Sequence, residues 1–261
     1  MTQIHKTKLK IWAVLTASVL TFAGSVHANS LAVVCAQASD LTCGSSVPGL
    51  FATGQFSSVV GIDSAAGTPT LTDLMGYDSI LAVTDFPPAD PAGLGNVLAD
   101  YFALGGKHLT VATYSFSSPW AVAGAITGGG YVGLTNIGTN GDVSGQIVPT
   151  LPGDPIFTGI DLGTVRFTHN ASYAHPGLAD GATLLATDGA GVNLIARSSL
   201  GVIDINLFPD TDTSNAAFFN LVANTLTEDA GIPTTPEPSS LALLGGGIFG
   251  LVATLRRRTA K

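Results

Sequence analysis

Three stretches of the chain, residues 31–36, 79–84 and 108–113, are apolar with little polar alternation. Runs of this length and pattern read as strands covered on both faces of a sheet. Between the second and third, Leu94, Val97, Leu98, Tyr101 and Phe102 recur at helical spacing within residues 90–104. Asp90 is placed to cap that helix, Pro91 takes its first position and Gly105-Gly106 stop it. Strand, helix, strand in this order predicts a right-handed βαβ crossover and therefore a parallel sheet. A second helix is predicted over 47–55, followed by a short strand over 58–62.

The C-terminal half reads as strands and turns, with strands expected over 131–136, 165–168, 183–187, 192–196 and 201–207. A last helix over 214–226 carries Ala217, Phe218, Leu221, Val222 and Leu226 on one face. Gly-rich turns such as Asp188-Gly189 predict antiparallel additions to the parallel sheet. The fold class is α/β, with one domain over residues 29–230 and no internal repeat.

Both ends break this pattern. Residues 1–28 run from a basic start through an apolar stretch to Val26-His27-Ala28, which predicts a secretory signal cut between Ala28 and Asn29. Residues 231–261 hold a linker, then Pro236-Glu237-Pro238, an uncharged segment over 241–255 and Arg256-Arg257-Arg258. Fifteen helical residues rise about 22 Å, short of a hydrocarbon core of roughly 30 Å, and Gly245, Gly246 and Gly247 weaken the helix further. This suits temporary attachment to the inner membrane, with the arginines on its cytoplasmic side.

The order of motif, apolar segment and arginines is similar to the PEP-CTERM sorting signal of Gram-negative bacteria. The resemblance implies recognition of Pro236, Glu237 and Pro238 by an exosortase, removal of the tail, and transfer to the cell surface or exopolysaccharide matrix. Signal peptidase and the exosortase are then the partners during export.

Charge narrows the function further. The 261 residues include 18 acids and 10 bases. Between Asn29 and Thr235 only Lys107, Arg166 and Arg197 stand against 17 acids, a net charge of −14. A body so acidic repels phosphate backbones, which excludes nucleic acid as a partner. The two cysteines, Cys35 and Cys43, sit eight apart, and an oxidising compartment would let them pair; two unpaired thiols are the alternative. No cysteine or histidine spacing predicts a metal site, and no cofactor is expected.

Four segments of the body resemble the class I glutamine amidotransferase-like fold, a flavodoxin-like sandwich. They are Leu74-Met75-Gly76-Tyr77-Asp78-Ser79-Ile80-Leu81-Ala82-Val83, residues 98–106, Asp154-Pro155-Ile156-Phe157-Thr158-Gly159, and Asp204-Ile205-Asn206-Leu207-Phe208-Pro209. In enzymes of that fold the resemblance implies a cysteine on a sharp turn after a central strand. Here the corresponding stretch, residues 112–120, has none. Ser115 is the one substitute nucleophile, and His169 or His175 would have to serve as its base.

Three other patterns fail on context. Gly128, Gly130 and Gly133 spell GxGxxG without the strand before and helix after that a dinucleotide needs. Asp210-Thr211-Asp212 opens like a calcium loop, but Leu221 stands where a bidentate Glu belongs. His169 and His175 have no third ligand near them in sequence. Phe86, Tyr114, Phe116, Trp120 and Tyr173 fall in loops expected beyond the strand ends, a mix of aromatics and hydroxyls suited to sugars. The leading expectation is an exported, non-enzymatic surface or matrix protein with a structural or binding role. The alternatives are a secreted hydrolase of carbohydrate or amide bonds using Ser115 and a histidine, and a polysaccharide-binding module relying on Trp120.

Overall fold

The computed structural model describes residues 29–36, 43, 44, 46–112, 115, 116, 120–135, 140, 141, 146–167, 172, 173, 176–209 and 214–227. In chain order these form β1 (Ser30–Ala36), α1 (Ser46–Phe51), β2 (Ser58–Asp63), α2 (Leu71–Leu74), β3 (Ser79–Thr84), α3 (Pro91–Ala103) and β4 (His108–Ala112). There follow β5 (Leu134–Thr135), β6 (Asn140–Gly141), β7 (Val148–Pro149), β8 (Ser172–Tyr173), β9 (Gly177–Leu178), β10 (Thr183–Thr187), β11 (Asn193–Arg197), β12 (Ile203–Ile205) and α4 (Ala216–Thr227).

One eight-stranded sheet runs in the order β2-β1-β3-β4-β12-β11-β10-β7. From β2 to β12 the pairs are parallel, and β11, β10 and β7 continue it antiparallel. The result is an α/β sandwich with a parallel centre and antiparallel additions, as the pattern of apolar runs predicts. β5 with β9 and β6 with β8 make two small ladders outside it.

Alternation along each strand sends neighbouring side chains to opposite faces. Leu31, Val33, Leu81, Val83, Ile203 and Ile205 join Leu50 of α1 and Phe218, Leu221, Val222 and Leu226 of α4 in one core. Ala32, Val34, Ile80, Ala82 and Val111 face Leu94, Leu98 and Tyr101 of α3 in the other. Helices on both sides explain why the central strands show no polar face. α4 is also tied by polar contacts, since the Ser79 hydroxyl donates to the Leu226 carbonyl at 2.6 Å and that of Thr110 to the Thr225 carbonyl at 3.1 Å.

α3 is built as its sequence predicts. The Asp90 carboxylate accepts from the amides of Ala92 and Gly93 at 3.1 and 3.0 Å. Gly95 lets the chain at Ala123 lie directly on the helix, because a Cβ there would run into the Ala123 carbonyl. The Ala123 amide donates to the Pro91 carbonyl at 2.9 Å, and the Ala125 amide to Asn96 Oδ1 at 2.8 Å. Residues 120–127 are thereby strapped across one face of the sandwich, where they roof the site described below.

Several boundaries differ from the sequence expectation. The helix expected over 47–55 ends at Phe51, where Gly54 turns the chain in a left-handed conformation with φ 72°. The strand expected over 131–136 shrinks to Leu134–Thr135, because the amides of Gly133 and Leu134 are taken by a side chain. Residues 165–167 form no strand: the Val165 amide closes a turn on Leu162 and that of Arg166 donates to Asn215 Oδ1 at 3.0 Å. α2 adds a one-turn helix that the hydrophobic pattern does not predict, with Thr70 and Asp73 forming a reciprocal capping box at its start.

Candidate functional site

Ser115 lies in a turn just past β4, where its amide donates to the Ala112 carbonyl at 3.1 Å. Its side chain is buried, and its hydroxyl accepts a 3.3 Å hydrogen bond from the Thr84 hydroxyl at the end of β3. A serine nucleophile needs an accessible oxygen with a base in hydrogen-bond reach. The structure brings Ser115 to Thr84 instead. His108 starts β4, at the far end of the strand, and His169 and His175 lie outside the described residues.

Beside Ser115 opens a pocket of about 180 Å³ that sequence reading missed. Its floor is Val111 of β4 and Asp204 of β12, which are register partners on the same face of the sheet. The strapped segment supplies Val122 and Ile126 as the roof, and Phe116, Tyr131 and Leu134 wall the sides. Apolar atoms dominate the lining; beside the hydroxyl residues Ser115, Thr127, Tyr131 and Thr135, Asp204 supplies the one acid among the described residues.

Asp204 is 2% exposed. Its Oδ2 accepts from the amides of Gly133 and Leu134 at 2.7 and 2.8 Å. Gly133 is needed for that approach: a Cβ there would come within 3.0 Å of the Ala196 carbonyl on β11. Burial raises the carboxyl from its ordinary 3.8 to about 7, with the two amides pulling the other way. At neutral pH this acid therefore exists in both protonation states, a property suited to proton exchange or to pairing with a ligand charge. A lone acid inside an apolar strand was the signal available in the sequence.

The remaining sequence candidates take other roles or fall outside the described residues. Gly128, Gly130 and Gly133 follow a short 3-10 turn and lead into the strand β5 rather than into a helix. The acidic run at 210–212 is not among the described residues. Cys35, in β1, is joined to Cys43 by a disulfide with a Cα–Cα distance of 5.6 Å. Phe116 lines the pocket; Phe86 is exposed on its loop and Trp120 is half-buried.

Residues 234–258 match the PEP-CTERM protein-sorting motif. The chain carries an exosortase sorting signal. The motif directs export and sorting to the cell surface, and it covers Pro236, Glu237, Pro238 and Arg256 to Arg258. Among the described residues no helix is long and apolar enough to cross a membrane, and both 1–28 and 241–255 lie outside them.

The body is similar to a ThuA-like protein from Bacteroides uniformis, at 10% identity over 76% of this chain and 89% of that one, with a TM-score of 0.50. At this identity the likeness concerns the fold alone, and it agrees with the glutamine amidotransferase-like, flavodoxin-like architecture expected from the sequence. A cytoplasmic protein from Salmonella typhimurium overlays with 10% identity over 76% of this chain and 97% of its own, at a TM-score of 0.49. No curated protein matches the chain.

Proposed function

We propose that this is an exported protein, delivered by an exosortase to the cell surface or polysaccharide matrix, whose body binds rather than hydrolyses. The observation that carries the delivery is the sorting motif over 234–258. The placement of that motif is compatible with its removal: α4 ends at Thr227, so cutting near Pro236 to Pro238 leaves intact every element formed by the described residues. Residues 241–255 would hold the precursor in the inner membrane until it is cut.

The non-hydrolytic reading of the body is supported at Ser115, which lines the pocket but is 1% exposed and, among the described residues, has the Thr84 hydroxyl rather than a base as its side-chain partner. Asp204 offers the alternative, a carboxyl at the base of a small pocket suited to holding a ligand.

The test is fractionation of cells producing Glu237→Ala. The expected result is loss of the protein from the surface fraction and accumulation of a larger, uncut form with the membranes, while Ser115→Ala is delivered normally. Equal surface delivery of Glu237→Ala would overturn the proposal.

A further inference from the structure

The pocket over β4 and β12 holds an acid to which the body supplies no lysine or arginine partner. Asp204 Oδ2 takes both backbone amides, whereas Oδ1 makes no hydrogen bond among the described residues and belongs to a carboxyl that lines the pocket. The three lysine and arginine side chains of the body are engaged elsewhere. Lys107 donates to the carbonyls of Met75 and Tyr77. Arg166 donates to those of Gly163 and Val165. Arg197 is bound to Asp154, and its alternation with Ala196 puts it on the opposite face of the sheet.

We propose that this pocket binds a small organic cation, with its ammonium on Asp204 Oδ1 and its apolar body against Val122, Ile126, Phe116 and Tyr131. The assignment rests on the reading of the body as a binding module and names its ligand class. Four features of the site select that class. Among the described residues the buried carboxylate lacks a countercharge, which a cation provides and an anion would oppose. The walls are apolar and two are aromatic, so they accept both the hydrocarbon part and the fringe of positive charge on carbons next to nitrogen. The volume, about 180 Å³, is below the roughly 300–1,000 Å³ of sites for drug-sized ligands. The field of a body with three bases and 17 acids draws cations towards it.

The same geometry fixes a pH dependence. Among the described residues Tyr131 is the only other titratable side chain lining the pocket; β4 and β11 bring Val111 and Ala196 to the sides of Asp204. A cation binds the ionised acid and competes with its proton. With the carboxyl titrating near 7, affinity for an amine that stays protonated should rise about tenfold from about pH 6 to about pH 8.

Calorimetric titration of the surface-released protein with benzylamine, benzyl alcohol and benzoate tests this. Benzylamine is expected to bind with the pH dependence above, benzyl alcohol weakly and without it, and benzoate not at all. Asp204→Asn keeps an oxygen for the two amides but removes the charge, and should weaken benzylamine binding at about pH 8 by about tenfold or more. If that variant does not fold, the pH profile of the unsubstituted protein decides. Benzyl alcohol binding as tightly as benzylamine would overturn the cation assignment while leaving a binding role intact. A flat pH profile, or no binding of benzylamine, would also overturn it; none of these outcomes touches surface delivery, which the Glu237→Ala experiment reads separately.

Discussion

Asp154→Ala is expected to lower the unfolding free energy by about 3–5 kcal/mol. Arg197 and Asp154 form a two-pronged ion pair, Nη1 to Oδ2 at 2.7 Å and Nη2 to Oδ1 at 3.0 Å. Their side chains are only 16% and 6% exposed. Removing the carboxylate strands a guanidinium that cannot shed its charge, and whose Nε already has no hydrogen-bond partner among the described residues. The Ile156 amide, which Asp154 caps, loses its acceptor as well. The double variant Asp154→Ala with Arg197→Met should recover most of the loss, because the penalty arises from the orphaned charge rather than from the missing attraction. Urea unfolding of the three variants measures this; a loss below about 1 kcal/mol for Asp154→Ala, the range of an exposed pair, would contradict it.

Asp204 makes stability fall as pH rises. Its folded-state value of about 7 lies above the ordinary 3.8, so between these values the folded protein keeps a proton that the unfolded chain has released. The contribution is fully present below the unfolded value and is lost as pH climbs through the folded one. Over that window the loss amounts to something on the order of 4 kcal/mol. Asp204→Asn, which cannot titrate, should show a profile flatter by that amount between about pH 4 and about pH 7. Parallel profiles for the two proteins would show that burial does not hold the proton on Asp204. A saturating amine should restore stability above neutrality in the unsubstituted protein alone, since it binds only the folded, ionised site.

The parallel core was legible because each of its elements announces itself locally. β1, β3 and β4 are apolar on both faces, and α3 is bracketed by Asp90, Pro91 and a glycine pair in left-handed conformation, φ 77° and 63°. The C-terminal half was harder to read because its backbone donors go to side chains and turns. Residues 131–133 have the composition of a strand, yet the Gly133 amide serves Asp204. Arg166 looks extended until Asn215, 49 residues away, takes its amide. No local pattern encodes such partners.

The site was legible only as an anomaly. Asp204 interrupts an apolar strand whose neighbours β4 and β11 bury it, and a buried acid implies either a partner or a shifted titration. The partners are backbone amides brought in by Gly133, so nothing in side-chain spacing identifies them. Ser115 shows the converse. Its position after a central strand suggested a nucleophile, but whether its hydroxyl faces outward depends on the turn that delivers it to Thr84.

Whether this chain is a sorted surface protein with a self-contained body is read from the intact mass of the protein recovered from the cell surface. The expected species starts at Asn29 and lacks the apolar segment and Arg256 to Arg258. Surface material that still carries those arginines would contradict it.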